Sequence, residues 1–250
     1  MENKKYGIVT GASRGLGAAI AEELAREGYD LVITYHTQAE KAEAVKERLK
    51  KEYGVNIETY KLAIENEDEV IAFRAWVEEN MGKDLVVLVN NAGIYCNVPA
   101  NEIDPKLYCQ VIDVNVKGTF FMCRYFCDLM IDNRFGKIIN LCSAVGLRAA
   151  PGSVAYASSK FAVRGLTQAF ALDLGKYNIQ VNAIAPGAHK TDMYWDAVKI
   201  DPVLMETRTK QCPLQRAGEV TEMWHVVRYF MQSDFITGQV VSPNGGTTMV

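Results

Sequence analysis

From Tyr6 to about residue 190, short apolar and β-branched runs alternate with amphipathic segments of helical length, the pattern that βαβ units produce. Strands are predicted to begin near Tyr6, Leu31, Asn56, Leu85, Lys137, Ile179 and Gln239, and helices to span 16–27, 39–52, 68–80, 106–130, 157–176 and 221–231. Parallel neighbours need crossover helices, and these cover both faces of the sheet. The expected fold class is therefore α/β: a single Rossmann-type, doubly wound domain over residues 1–250, with about seven parallel strands.

The charged run 40–52 carries Ala42, Val45 and Leu49 at helical spacing, so it reads as the solvated face of a packed helix. The one long stretch without clear periodicity is 188–213, and a segment of that length inside a compact domain is expected to be a lid or substrate loop. No Pro/Ser/Gly-rich linker or internal repeat divides the chain.

Composition removes several classes of function. With 49% hydrophobic and 23% charged residues the chain is ordinary globular protein, and 27 basic against 30 acidic side chains (net charge −3) leave no basic excess for nucleic acid. Cys96, Cys109, Cys123, Cys127, Cys142 and Cys212 form no C-x-x-C pair and are expected to be reduced core thiols rather than metal ligands. Met1-Glu2-Asn3-Lys4-Lys5 leads into a strand without an apolar signal segment, and no run approaches about 18 consecutive apolar residues. A cytoplasmic protein without membrane contact is expected.

Candidate chemistry begins after the first strand. Gly11-Ala12-Ser13-Arg14-Gly15-Leu16-Gly17 joins Thr10 to a helix that opens with Ala18-Ala19-Ile20. Glycine permits a tight turn and close backbone approach to a pyrophosphate, while the helix N-terminus offers free N–H groups and a positive dipole end. Further along, Tyr156 and Lys160 stand four residues apart, on one face of a predicted helix. An ammonium near a phenol favours the phenolate and lets the tyrosine exchange protons near neutrality. Ser143 falls where a parallel strand ends, the edge at which ligands bind in open α/β sheets, and its hydroxyl is placed to hold a carbonyl.

The order of these segments resembles the short-chain dehydrogenase/reductase family over essentially the whole chain. The motifs that carry the resemblance are Thr10-Gly11-Ala12-Ser13-Arg14-Gly15-Leu16-Gly17, Asn90-Asn91-Ala92-Gly93, Asn115, Ser143, Tyr156-Ala157-Ser158-Ser159-Lys160, and Pro186-Gly187 with Thr191. It implies that Asn115, Ser143, Tyr156 and Lys160 are catalytic, with Asn115 holding a water that links Lys160 to solvent. It also implies that Asn90, Asn91, Ala92 and Gly93 wall the adenosine ribose, and that Pro186, Gly187 and Thr191 meet the nicotinamide carboxamide. Cys142 is expected to face away from Ser143 and pack, and His189 to be a hydrated loop residue. The family usually has an Asp after the third strand that touches adenine, where this chain has Ala63, so that contact is lost or replaced.

Cofactor choice follows from charge. In dinucleotide folds an acidic residue at the end of the second strand binds the ribose 2′-OH, whereas a 2′-phosphate needs cations. Here the strand ends in Tyr35-His36-Thr37 without a carboxylate, and Arg14 in the glycine loop is able to face a phosphate. NADP(H) is expected, with His36 read equally as a phosphate contact or a surface histidine.

Within the family, segments such as Gly136-Lys137-Ile138-Ile139-Asn140 and Ile236-Thr237-Gly238-Gln239-Val240 resemble 3-oxoacyl-(acyl-carrier-protein) reductases. The leading expectation is an NADPH-dependent reductase of a 3-oxoacyl thioester, with an acyl carrier protein as possible partner and Arg134, Lys137 and Arg148 as candidate docking cations. Tyr177 stands where those reductases are often basic. The alternatives are an NADP-dependent dehydrogenase of a free alcohol, hydroxysteroid or polyol type, and a catalytically silent nucleotide-binding protein. Loop 94–99 and the lid, with Met193, Tyr194, Trp195, Val198, Leu204 and Met205, supply an apolar lining. Apolar surface around Phe120, Phe121, Phe161 and Phe170 predicts, by resemblance, a homotetramer.

Overall fold

The computed structural model describes residues 5–200 and 202–249, excluding the side chains of Leu204 and Arg208. Residues 1–4 and the lining role of Leu204 lie outside the described residues. β1 (Tyr6–Val9), β2 (Asp30–Tyr35), β3 (Ile57–Lys61), β4 (Leu85–Asn90), β5 (Gly136–Leu141), β6 (Ile179–Ile184) and β7 (Val240–Val241) line up in the order β3-β2-β1-β4-β5-β6-β7. Every pairing among these described strands is parallel. The order reverses between β1 and β4, and their carboxyl ends open the crevice where such sheets bind ligands.

β1 and β4 are buried on both faces and so are almost wholly apolar rather than alternating, while β5 and β6, equally buried, carry the polar residues Lys137, Asn140, Gln180 and Asn182. One face is covered by α1 (Gly15–Arg26), α2 (Ala39–Tyr53) and α9 (Met223–Gln232), whose Ile20, Leu24, Leu49 and Val227 pack with Ile33, Val87 and Ile139. The other is covered by α3 (Glu67–Met81), α4 (Pro105–Ile112), α5 (Thr119–Asn133) and α6 (Val154–Leu174), with Phe73 and Phe126 central to its core. The doubly wound α/β fold read from periodicity is the fold observed.

Two local differences bear on the site. The helix expected over 106–130 is divided by a π-helical stretch, Asp113–Gly118, that contains Asn115. The aperiodic segment 188–213 is largely helical, as α7 (Asp192–Ile200) and α8 (Pro202–Gln211). α8 shows polar residues on every side, including Glu206, Thr207, Thr209 and Lys210, so no apolar stripe marks it in sequence.

Candidate active site

Three glycines shape the loop between β1 and α1. Gly11 and Gly15 have φ of 64° and 60°, in the left-handed region that glycine adopts without penalty. A Cβ on Gly17 would stand 2.4 Å from Asn91 Nδ2, so only glycine lets α1 begin this close to the β4 loop. Asn91 in turn donates from Nδ2 to the carbonyls of Thr10 (2.8 Å) and Gly11 (3.0 Å). Thr10 Oγ1 accepts from the amides of Asn91 and Ala92, each at 3.0 Å, a clamp on which sequence reading placed no weight.

The start of α1 fits the phosphates of a dinucleotide. Arg14 stands at the N-cap position without capping the helix, and no acidic residue lies in the first turn. The amides there and the positive dipole end are thus left for an anion, beside half-buried Ser13 and Leu16. At the adenosine side, Tyr35 is half-buried and His36 and Thr37 are exposed, with no carboxylate among them. Ala63 is half-buried, and its amide donates to Glu69 Oε2 at 2.9 Å. Arg14 Nη1 lies 3.1 Å from Asp192 Oδ2, which also accepts from Lys41 Nζ at 3.1 Å.

The β5 end and the first turns of α6 bring Ser143, Tyr156 and Lys160 together. Ser143 is extended (φ −166°) and its Oγ accepts from the Val145 amide at 3.4 Å, starting a short 3₁₀ turn, Ala144–Gly146. Burial pushes the Tyr156 phenol above its ordinary value, and a hydrogen bond with the Ser143 hydroxyl pulls it back. The Tyr95 ring meets the Tyr156 ring edge-on at 4.9 Å. Lys160 is buried, its Nζ donating to the Leu141 carbonyl at 2.6 Å and lying 5.7 Å from the centre of the Tyr156 ring. Burial lowers its ammonium to about 8, a value at which it exchanges protons near neutrality. The phenol is therefore tuned by burial and Ser143, while the lysine is held by a main-chain carbonyl.

Asn115 braces the wall behind them. Its Oδ1 accepts from the Ile94 amide (2.8 Å), and its Nδ2 donates to the Ile94 carbonyl (3.0 Å) and to Ser159 Oγ (3.0 Å). It thereby ties the loop after β4 to α6. Gly93 leaves this junction open, since a Cβ there would lie 3.0 Å from Asn115 Oδ1 and 3.6 Å from Lys160 Nζ. Asn90, expected at the ribose, instead points into the core, where Nδ2 donates to Asn140 Oδ1 at 2.9 Å. Asn140 passes the chain on to Thr167 Oγ1 at 3.0 Å.

On the opposite rim, the Pro186 carbonyl accepts from the Ala144 amide at 2.9 Å, and Gly187 packs on Asn244, where a Cβ would come within 2.8 Å of Cα. Thr191 Oγ1 accepts from the Tyr194 amide at 3.3 Å and so opens α7. His189 is buried, not hydrated: Nδ1 lies 3.0 Å from the Gly187 carbonyl and its ring covers Gly218. Cys142 is buried, as expected, with Sγ 3.1 Å from the Lys160 carbonyl. Lys137 is also buried, its Nζ donating to the carbonyls of Phe230 (3.1 Å) and Ser233 (2.8 Å) and to Asp234 (3.0 Å), which corrects its assignment to the docking rim. The described cysteines are free thiols, buried except for Cys109, which is exposed on α4. Among the described residues no helix is long and apolar enough to cross a membrane, and no group of three or more His, Cys, Asp or Glu gathers as a metal site.

The chain is similar to known proteins over most or all of its length. The family described as short chain dehydrogenase matches residues 5–200. The 3-oxoacyl-(acyl-carrier-protein) reductase of Staphylococcus aureus is 40% identical over 252 residues, covering 100% of both chains. Gluconate 5-dehydrogenase of Gluconobacter oxydans is 33% identical over 244 residues, covering 97% of this chain and 94% of its own. Among solved structures, a gluconate 5-dehydrogenase from Burkholderia cenocepacia in complex with NADP and tartrate superposes with a TM-score of 0.90 at 31% identity, covering 97% and 94% of the two chains.

Proposed function

Because the chain belongs to the short-chain dehydrogenase family, we propose that it is an NADPH-dependent reductase of 3-oxoacyl thioesters. The observation that carries the reaction is the junction of β5 and α6, where the Ser143 hydroxyl acts to lower the Tyr156 phenol and Lys160, one turn further on, has Nζ 5.7 Å from the centre of the Tyr156 ring. When bound, the nicotinamide supplies the hydride. Ser143 Oγ holds the substrate carbonyl oxygen, and the Tyr156 hydroxyl delivers a proton to that oxygen as it becomes an alkoxide. Lys160, with its ammonium near 8, restores the proton at the phenol, and Asn115 keeps the loop behind Lys160 open to that exchange.

Gly11, Ser13, Gly15, Leu16 and Gly17 would hold the pyrophosphate, and Asn91, Ala92 and Gly93 the ribose side. Pro186, Gly187 and Thr191 would meet the carboxamide. The carboxylate-free end of β2 at Tyr35-His36-Thr37, together with exposed Arg14 in the glycine loop, supports NADPH over NADH. Full-length likeness to a 3-oxoacyl-(acyl-carrier-protein) reductase supports the thioester, carried by coenzyme A or an acyl carrier protein. Exposed Phe120 on α5 and Phe161 on α6, with the Phe120 ring 6.1 Å from that of half-buried Phe170, support burial of this patch in a homotetramer.

A second reading, reduction of a free polyol-type ketone, is favoured by the loss of Lys137 from the rim and by the likeness to two gluconate 5-dehydrogenases. Initial rates of NADPH and NADH oxidation with acetoacetyl-coenzyme A, an acyl-carrier-protein thioester and 5-ketogluconate separate the two. Turnover of thioesters with NADPH is expected; turnover of the keto acid alone moves the protein to the second reading. Tyr156→Phe is expected to abolish nearly all turnover while cofactor still binds, and unchanged turnover overturns the catalytic assignment.

A further inference from the structure

Three side chains from distant parts of the chain meet at the rim of the cofactor crevice. Asp192, the first residue of α7, accepts from Arg14 Nη1 and Lys41 Nζ at 3.1 Å each, both on the same oxygen. Arg14 belongs to the glycine loop, and Lys41 to the first turn of α2, just beyond the carboxylate-free end of β2. All three side chains are about half exposed. One residue earlier, the Thr191 methyl lies 3.4 Å from the position a Cβ would take on Gly15. The start of the lid therefore rests directly on the loop suited to phosphate.

Two cations aimed at a single carboxylate oxygen make a better host for a phosphomonoester, which brings three acceptor oxygens and more than one negative charge near neutral pH. The carboxylate is held there by exposed pairs, and exposed pairs bind weakly. A dianion arriving from the crevice competes for both cations, and it repels the carboxylate between them.

We propose that Arg14 and Lys41 together form the site for the cofactor's 2′-phosphate, and that Asp192 is the counter-ion this phosphate displaces. The inference rests on the NADPH reading and adds to it Lys41 as a specificity residue and Asp192 as a brake. In this arrangement NADPH releases the first turn of α7 from the glycine loop, whereas NADH leaves it pinned.

Adenosine 2′,5′-bisphosphate and adenosine 5′-monophosphate differ only in the 2′-phosphate, so calorimetric titration of both isolates the site. For the native protein the bisphosphate is expected to bind more tightly. Lys41→Met is expected to lose about fivefold of that preference, and Asp192→Asn to gain about threefold for the bisphosphate alone, on the scale of exposed ion pairs. Both differences should shrink as salt rises. An unchanged preference in Lys41→Met overturns the shared site. Equal weakening of both nucleotides in Asp192→Asn overturns the brake and makes the salt bridge a strap across any dinucleotide. If the native protein itself shows no preference for the bisphosphate, the NADPH reading fails along with the inference.

Discussion

Lys160 Nζ donates to the carbonyl of Leu141 at 2.6 Å, tying the lysine of α6 to the last residue of β5. The bond offsets part of the penalty of burying an ammonium, and what remains is visible as the depression from 10.5 to about 8.

That depression has a stability consequence with a definite sign. Between about 8 and 10.5 the unfolded chain binds more protons at Lys160 than the folded chain, so its contribution to stability rises with pH across that window. The penalty is complete below about 8 and gone above 10.5. Lys160→Met has no such penalty, so its stability relative to the native protein should be greatest near neutrality and should fall, by up to about 3 kcal/mol, on going to alkaline pH. Urea unfolding at pH 7, 8.5 and 10 measures the gap; a gap independent of pH contradicts the buried ammonium.

Ser143 lowers the phenol that burial raises. Ser143→Ala should therefore reduce kcat/KM for ketone reduction by about a hundredfold through loss of the carbonyl hydrogen bond. In alcohol oxidation, where Tyr156 must give up its proton, the pH–rate profile should move to higher pH. A hundredfold loss with no alkaline displacement would leave Ser143 a substrate contact without influence on Tyr156.

The glycine loop makes a steric prediction. An alanine at Gly17 places its Cβ 2.4 Å from Asn91 Nδ2 and 2.6 Å from the Gly11 carbonyl, and main chain does not yield cheaply. Gly17→Ala should weaken nicotinamide cofactor binding at least about tenfold and destabilise the fold by about 1–3 kcal/mol, as overpacking does. Gly165→Ala is the control, because nothing lies within 4 Å of its added Cβ. Equal cofactor affinity in the two variants would contradict the close approach of α1 to the β4 loop.

The parts legible in the sequence are those that depend on local period and local turn chemistry. Strand-helix alternation and the positive-φ glycines at 11 and 15 carry their own signals, and the Tyr156–Lys160 spacing fixes a common helix face. The π-helical stretch around Asn115 does not, because the apolar period runs unbroken from α4 into α5 while Asn115 takes its partner, Ile94, from a loop 21 residues away. Lys41 was hidden for a similar reason: its charge belongs to a solvated helix face until the fold brings Asp192 to it across 151 residues. For α7 a signal existed, since Thr191 followed by Asp192 is a helix-start pattern.

Lys137 offers the sharpest separation of a surface role from an internal one. Its three ammonium hydrogens match three acceptors, the carbonyls of Phe230 and Ser233 and the Asp234 carboxylate, so it anchors the end of α9 to β5. Lys137→Met leaves two carbonyls without this donor and should destabilise the protein by about 1–3 kcal/mol, lowering the melting temperature by several degrees at about 2–4 °C per kcal/mol. Having no exposed charge, it should leave the ratio of KM for an acyl-carrier-protein thioester to that for the coenzyme A thioester unchanged. Arg148 is exposed, and Arg148→Glu should raise the carrier-protein KM alone, by about fivefold and less at high salt, if an acidic carrier docks beside the 3₁₀ turn after β5. A selective rise in Lys137→Met would place that lysine at the surface, against the geometry. A flat response in Arg148→Glu would leave coenzyme A thioesters and free ketones as the substrates to pursue.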